Sequence, residues 1–157
     1  MGPVVKVENL CKTYRGRNKQ IKAVDNISFE GVSGEIFGIL GPNGSGKTTT
    51  VKSIATIIDY DSGKIFVDGL DNKKHSNQVK QRIGAVLEGA RNIYWRLTPV
   101  ENMIYFAGLK GLSYKDIKTD IEYFLETLDL KEVKNKQVRE FSKGMQQKVA
   151  VACAFIS

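Results

Sequence analysis

The stretch Ile36-Phe37-Gly38-Ile39-Leu40-Gly41-Pro42-Asn43-Gly44-Ser45-Gly46-Lys47-Thr48 decides how this chain is read. Its first five residues are apolar without alternation, apart from one glycine, which predicts a strand buried on both faces in an α/β core. Its last eight match the P-loop pattern G-x-x-x-x-G-K-[ST] in full. Behind it Val51, Ile54, Ala55 and Ile58 recur at i, i+3, i+4 and i+7, so a helix with one buried apolar face is expected to follow directly. Strand, glycine-rich turn and helix, in that order, are the context the pattern requires. The chemistry explains the spacing. Glycines let successive backbone N–H groups point into one concavity, and the helix N-terminus adds partial positive charge, so the expected ligand is an oligophosphate. Lys47 is expected to reach the β and γ phosphates and the Thr48 hydroxyl to ligate Mg²⁺. The alternative, a glycine-rich turn that binds nothing, leaves the Lys47 cation facing amide donors with no anion between them.

Working outward, Val5 and Val7, then Ile27 and Phe29, alternate with polar residues on either side of a polar stretch at 15–22. They predict an N-terminal antiparallel β layer. Downstream, Asp61-Ser62-Gly63 ends the helix, and residues 64–68 read as a strand closed by Asp68-Gly69. Residues 83–87 form a second continuous apolar run, expected to be another central strand. The pattern then turns helical. Thr98-Pro99-Val100-Glu101 combines a Thr cap, Pro at the first helical position and Glu at the third, with Val100, Met103, Ile104 and Ala107 on one face. Ser113-Tyr114-Lys115-Asp116 opens a further helix whose apolar side carries Ile117, Ile121, Phe124, Leu125 and Leu128. Residues 149–156 are apolar on all sides, and such a helix is normally covered from every direction. The expected organisation is a β layer and P-loop core over 1–90, a helical part over 91–140, and a last segment over 141–157.

Composition bounds the rest. The 157 residues suit one domain, and 41% hydrophobic with 9% aromatic residues supply a core, which excludes disorder as the main state. Mean hydropathy is −0.26. The longest apolar run falls far short of the roughly 20 residues that cross a bilayer. Residues 1–10 have neither a basic patch nor a long apolar core, so no secretory leader and a cytoplasmic location are expected. Cys11 and Cys153 lie far apart with no ligand-like neighbours, which reads as two reduced thiols. His75 sits among polar residues and is expected at the surface without chemistry. Lys plus Arg exceed Asp plus Glu, 24 against 17, for a net charge of +7. The basic residues are dispersed rather than gathered in a tract, so no nucleic-acid partner is expected.

Around the P-loop the chain resembles, over essentially its whole length, the ATP-binding domains of ABC transporters. Four features carry the resemblance: residues 7–14, ending in Tyr14; residues 23–29 and 34–44, leading into the P-loop; Ile83-Gly84-Ala85-Val86-Leu87-Glu88 followed by residues 97–102; and Phe141-Ser142-Lys143-Gly144-Met145-Gln146-Gln147-Lys148-Val149. The resemblance implies an α/β P-loop NTPase core with an inserted helical subdomain, ATP and Mg²⁺ as ligands, and Tyr14 stacked on adenine. It makes Gly41, Pro42, Asn43, Gly44, Ser45, Gly46, Lys47, Thr48 and Thr49 the nucleotide cradle. Glu88 stands at the Q-loop position as a further Mg²⁺ ligand, with a catalytic role alongside Lys47. Ser142, Lys143, Gly144, Met145 and Gln146 form the signature that faces ATP on a second subunit in a head-to-tail dimer. The 91–111 region is implied to contact a membrane permease, which would hold the protein on the cytoplasmic face of the membrane, in the style of export systems.

Each feature has a plainer counterpart. Tyr14 is also a strand-end aromatic, Ser142 a helix cap, and the aromatic residues between arginines at 91–96 a base-stacking pattern. Departures from the family pattern bear on the chemistry. Glu88 replaces the usual Gln and cannot donate an amide hydrogen bond. Lys143 replaces a signature glycine, and Met145 the usual Gln. The Walker B Asp, the catalytic Glu, the D-loop and the switch His that would follow do not occur in the 157 residues. The fold is therefore expected to be incomplete at its C-terminus and the chain by itself inactive as an ATPase. Two competing readings are a non-catalytic ATP-binding fragment and another P-loop enzyme such as a small-molecule kinase.

Overall fold

Period-two alternation at the start of the chain becomes two long antiparallel strands, β1 (Val5–Arg15) and β2 (Gln20–Gly31). The structure is a computed structural model and describes residues 2–16, 19–87 and 93–156. It divides into two units, Met1–Ile83 and Gly84–Ser157.

In the first unit β1 is flanked by β2 and by β3 (Ser62–Val67), and a short β4 (Leu70–Asp71) completes the sheet in the order β2-β1-β3-β4, all antiparallel. Val7, Leu10, Val24, Tyr60 and Ile65 form its buried cluster, with Val5, Ile27, Phe29 and Ile54 packed around it. The ladder between β1 and β3 runs from Val5 to Cys11 and stops there. From Lys12 to Arg15 the pairing among the described residues is with β2 alone, and register shifts on either side of Lys12 mark bulges, which bend a strand and re-aim its side chains. A short helix, α2 (Ser76–Arg82), ends the unit.

The helix after the P-loop, α1 (Lys47–Ile54), is shorter than expected and turned differently. Its fully buried residues are Thr50 and Ser53, whereas Val51 is exposed and Ile54, Ala55 and Ile58 are half-buried. The reason is hydrogen bonding. Thr50 Oγ1 donates to the Gly46 carbonyl at 3.0 Å and Ser53 Oγ to the Thr49 carbonyl at 2.9 Å, so both hydroxyls are satisfied within the helix and can be buried. Beyond the helix, Asn72 Nδ2 donates to the Ser53 carbonyl at 2.9 Å while Asn72 Oδ1 accepts from the Tyr60 hydroxyl at 2.9 Å. These bonds satisfy the end of α1 without another turn.

The two expected central strands do not form. Residues 36–40 and 83–87 are without regular secondary structure, and neither enters a ladder among the described residues. A buried parallel strand needs hydrogen-bonding neighbours and cover on both faces. Here Leu40 is 94% exposed and Ile36 wholly so, and Phe37 stacks on Phe29 at 5.0 Å.

The second unit is helical. Its main elements are α3 (Pro99–Leu109), α4 (Tyr114–Thr127) and α5 (Lys143–Phe155), with short 3₁₀ turns at Lys131–Val133 and Val138–Glu140. The expected capping box opens α3: the Glu101 amide donates to Thr98 Oγ1 and the Thr98 amide to the Glu101 carboxylate. At the head of α4 the Asp116 carboxylate accepts from both the amide and the hydroxyl of Ser113. Met103, Ala107, Ile117, Ile121 and Leu125 meet Val149, Ala152, Cys153 and Ile156 in one core, each large side chain contributing roughly 1.5–3 kcal/mol by burial. The uniformly apolar end of the chain is thus covered on one side rather than all round, and Phe155 on its other side is 68% exposed. Among the described residues no helix is long and apolar enough to cross a membrane.

Candidate nucleotide site

Gly44 and Gly46 both lie in the left-handed region, at φ +85° and +86°. Gly46 is also the N-cap of α1, where a Cβ would stand 2.1 Å from the Ala23 carbonyl oxygen of β2. Only glycine meets both demands. The loop closes around its own lysine. Lys47 Nζ donates to the carbonyls of Gly41 at 2.7 Å and Pro42 at 2.8 Å, and the Ser45 amide donates to the Pro42 carbonyl at 3.2 Å. The ammonium is therefore held within the loop. Gly41, Pro42, Asn43, Gly44, Ser45 and Thr48 are exposed, so an anion has access to the loop and to the head of α1.

A cation site fits this arrangement sparsely. No group of three or more His, Cys, Asp or Glu gathers to hold a metal among the described residues. Mg²⁺ typically takes few protein ligands beside phosphate oxygens and water, so the exposed Thr48 hydroxyl suits it. Glu88, the other expected ligand, lies outside the described residues.

Tyr14 is brought to the same loop. Its hydroxyl is 3.5 Å from Thr49 Oγ1 on the first turn of α1, and its ring is 44% exposed. Two residues that the sequence did not single out stand beside it. Lys12 Nζ lies 5.5 Å from the Tyr14 ring centroid and 3.6 Å from Asp61 Oδ1. Asp61 Oδ2 accepts from the Thr13 amide at 2.6 Å, and that bond, more than the nearby cations, holds the carboxyl below its usual range. No local signal points to Asp61, which is read from sequence only as a turn residue.

The signature-like segment belongs to the second unit. Ser142 caps α5, its Oγ accepting from the Met145 amide at 3.3 Å. Gln146 Nε2 donates to the Phe141 carbonyl at 3.1 Å, anchoring the turn. Ser142, Lys143 and Gly144 are exposed, and Met145 and Gln146 half-buried. In the same unit Tyr94, Trp95, Arg96, Leu97, Tyr105 and Arg139 line a cavity of about 370 Å³. The loop that forms it is pinned by Asn102, a fully buried side chain that the sequence reading also missed. Asn102 Oδ1 accepts from the Tyr94 amide at 2.7 Å, and Nδ2 donates to the Tyr94 and Thr98 carbonyls at 3.0 Å each. Arg91 and Asn92 lie outside the described residues.

The ABC transporter family model matches residues 24–157. The ABC transporter ATP-binding protein NatA of Bacillus subtilis is 40% identical over 98% of this chain, which covers 62% of NatA. The linearmycin resistance ATP-binding protein LnrL of the same organism is 34% identical over 98% of this chain and 48% of its own length. Among solved structures, an ATP-binding subunit of an ABC transporter superposes with a TM-score of 0.85 at 26% identity, over 98% of this chain and 62% of that one. A dimeric post-hydrolysis ATP-binding cassette, MJ0796 bound to ADP and Pi, does so at 0.83 and 27% identity, over 97% and 69%. The chain thus spans about half to two thirds of the length of these relatives. With a P-loop at the head of α1, an antiparallel β layer beside it and a separate helical unit, the chain belongs to the ABC transporter ATP-binding family.

Proposed function

We propose that this chain binds MgATP at residues 41–49 as part of an ABC transporter ATPase, with Tyr14 stacking on adenine, Lys47 on the β and γ phosphates and Thr48 on Mg²⁺. One observation carries the reading: a complete P-loop folds around the Lys47 ammonium at the head of α1, with the Tyr14 hydroxyl 3.5 Å from Thr49. Phosphate oxygens are stronger acceptors for that ammonium than the loop carbonyls and reach the free amides of the helix N-terminus at the same time.

In the whole protein, Ser142 to Gln146 of one subunit would face ATP held by another; that two solved relatives are dimeric cassettes supports a second subunit. The 91–111 region, with its Tyr94–Trp95 cavity, would contact a membrane permease on the cytoplasmic side. Hydrolysis would then reopen the dimer and drive transport. Relatives named for linearmycin resistance and for multidrug transport favour export. For the 157 residues alone the proposal is nucleotide binding with little turnover.

Titration with a fluorescent ATP analogue and Mg²⁺ tests the site. Lys47→Ala is expected to weaken binding by about 10- to 100-fold, the scale of a lost charge-assisted contact. Equal affinity in a folded Lys47→Ala protein refutes the assignment.

A further inference from the structure

We propose that Asp61 is a positioning residue for the nucleobase end of the site, holding Tyr14 beside the P-loop helix. The inference rests on the reading of Tyr14 as the adenine platform. It begins from an irregularity in the sheet. Among the described residues β1 loses its β3 neighbour after Cys11, so the segment that carries Tyr14 keeps strand pairing there on one edge only. A free edge beside register shifts is the part of a sheet least held in place.

Asp61 occupies that edge. Its amide donates to the Cys11 carbonyl at 2.9 Å, and its Oδ2 accepts from the Thr13 amide at 2.6 Å. The carboxylate thus stands in for the next ladder partner, and a charged acceptor makes a stronger bond than a carbonyl would. Its second oxygen faces Lys12 Nζ at 3.6 Å, and the same ammonium is 5.5 Å from the Tyr14 ring, within cation–π range. The Lys12 side chain is 16% exposed and that of Asp61 49%, so the pair is open to water on the carboxylate side. On the other side, the Tyr14 hydroxyl meets Thr49 Oγ1. Asp61, Lys12, Tyr14 and Thr49 therefore form one line from the start of β3 to the first turn of α1. A group at the start of that line sets where the ring lies while touching none of the phosphate-binding atoms.

The test compares two probes, MgATP and Mg-tripolyphosphate, on the same protein. Tripolyphosphate has no base, so the ratio of the two affinities reads the platform alone. Asp61→Ala and Tyr14→Ala are each expected to lower this ratio about fivefold, the scale of one aromatic stack, and Asp61→Ala to leave tripolyphosphate affinity unchanged. The double variant is expected to match Tyr14→Ala, because both act through one ring. A wild-type ratio in Asp61→Ala with a reduced one in Tyr14→Ala overturns the positioning role and leaves the stacking reading intact. An unchanged ratio in Tyr14→Ala overturns the stacking reading itself and the positioning role with it. Should Asp61→Ala unfold, Asp61→Asn decides: it still accepts from Thr13 but no longer holds the Lys12 ammonium, and a ratio about twofold lower is expected. An unchanged ratio in that variant overturns the proposal.

Discussion

Replacing Gly46 by alanine tests the architecture of the P-loop against a control a few residues away. Gly44 and Gly46 share the left-handed conformation, at φ +85° and +86°, where a Cβ costs roughly 1–2 kcal/mol. Part of that is offset by the smaller conformational freedom of alanine in the unfolded chain, worth about 0.4–1 kcal/mol. The two positions differ in what surrounds the added atom. At Gly44 no described residue beyond its chain neighbours lies within 4 Å, whereas at Gly46 the Ala23 carbonyl oxygen lies at 2.1 Å and its carbon at 3.2 Å. Both are backbone atoms of a paired strand and cannot turn aside as a side chain would. Relieving the overlap requires α1 and β2 to part by about 1 Å, an overpacking cost of roughly 1–3 kcal/mol beyond the conformational strain. Gly44→Ala is therefore expected to cost about 1 kcal/mol and Gly46→Ala about 3 kcal/mol. In urea unfolding followed by circular dichroism, a slope near 2 kcal/mol per molar turns these into midpoint shifts of about 0.5 M and 1.5 M. Equal midpoints for the two variants would refute the claim that β2 backs the loop at Gly46.

Three further outcomes are expected. Asn102→Ala removes a buried amide with three hydrogen bonds to Tyr94 and Thr98 and is expected to destabilise the protein by about 2–4 kcal/mol, seen as a lowered melting temperature. In Cys153, burial pushes the thiol up to about 12 from 9.0. Between these values the unfolded thiol loses its proton while the folded one keeps it, so this group's contribution to stability is present below pH 9 and lost as pH rises toward 12. Alkylation at pH 8 under native conditions is expected to modify the half-buried Cys11 and spare Cys153; rapid labelling of Cys153 in the folded protein contradicts this.

Local signals were legible where a short stretch carries its own reason for its shape. Thr98, Pro99 and Glu101 satisfy the first turn of α3 among themselves, and the P-loop spacing specifies where left-handed backbone is needed. For the helix after it, the apolar period predicts a buried face with Val51 and Ile58, yet Val51 is exposed. The hydroxyls of Thr50 and Ser53 bond back to their own helix and take that place. Residues 36–40 and 83–87 read as buried strands because they are apolar, yet a strand is made by its ladder neighbours, and neither segment joins the described sheet.

Contiguous residues were enough for the family and for the glycine-rich loop at the head of α1, since both reside in residue types whose backbone chemistry is local. Tertiary structure alone decided that β1 loses its neighbour at Cys11 and that Asp61, 48 residues beyond Thr13, takes the vacant place with its side chain. A hydrogen bond across that distance in sequence depends on how strands align and where one ends, and no pattern around Asp61 records either.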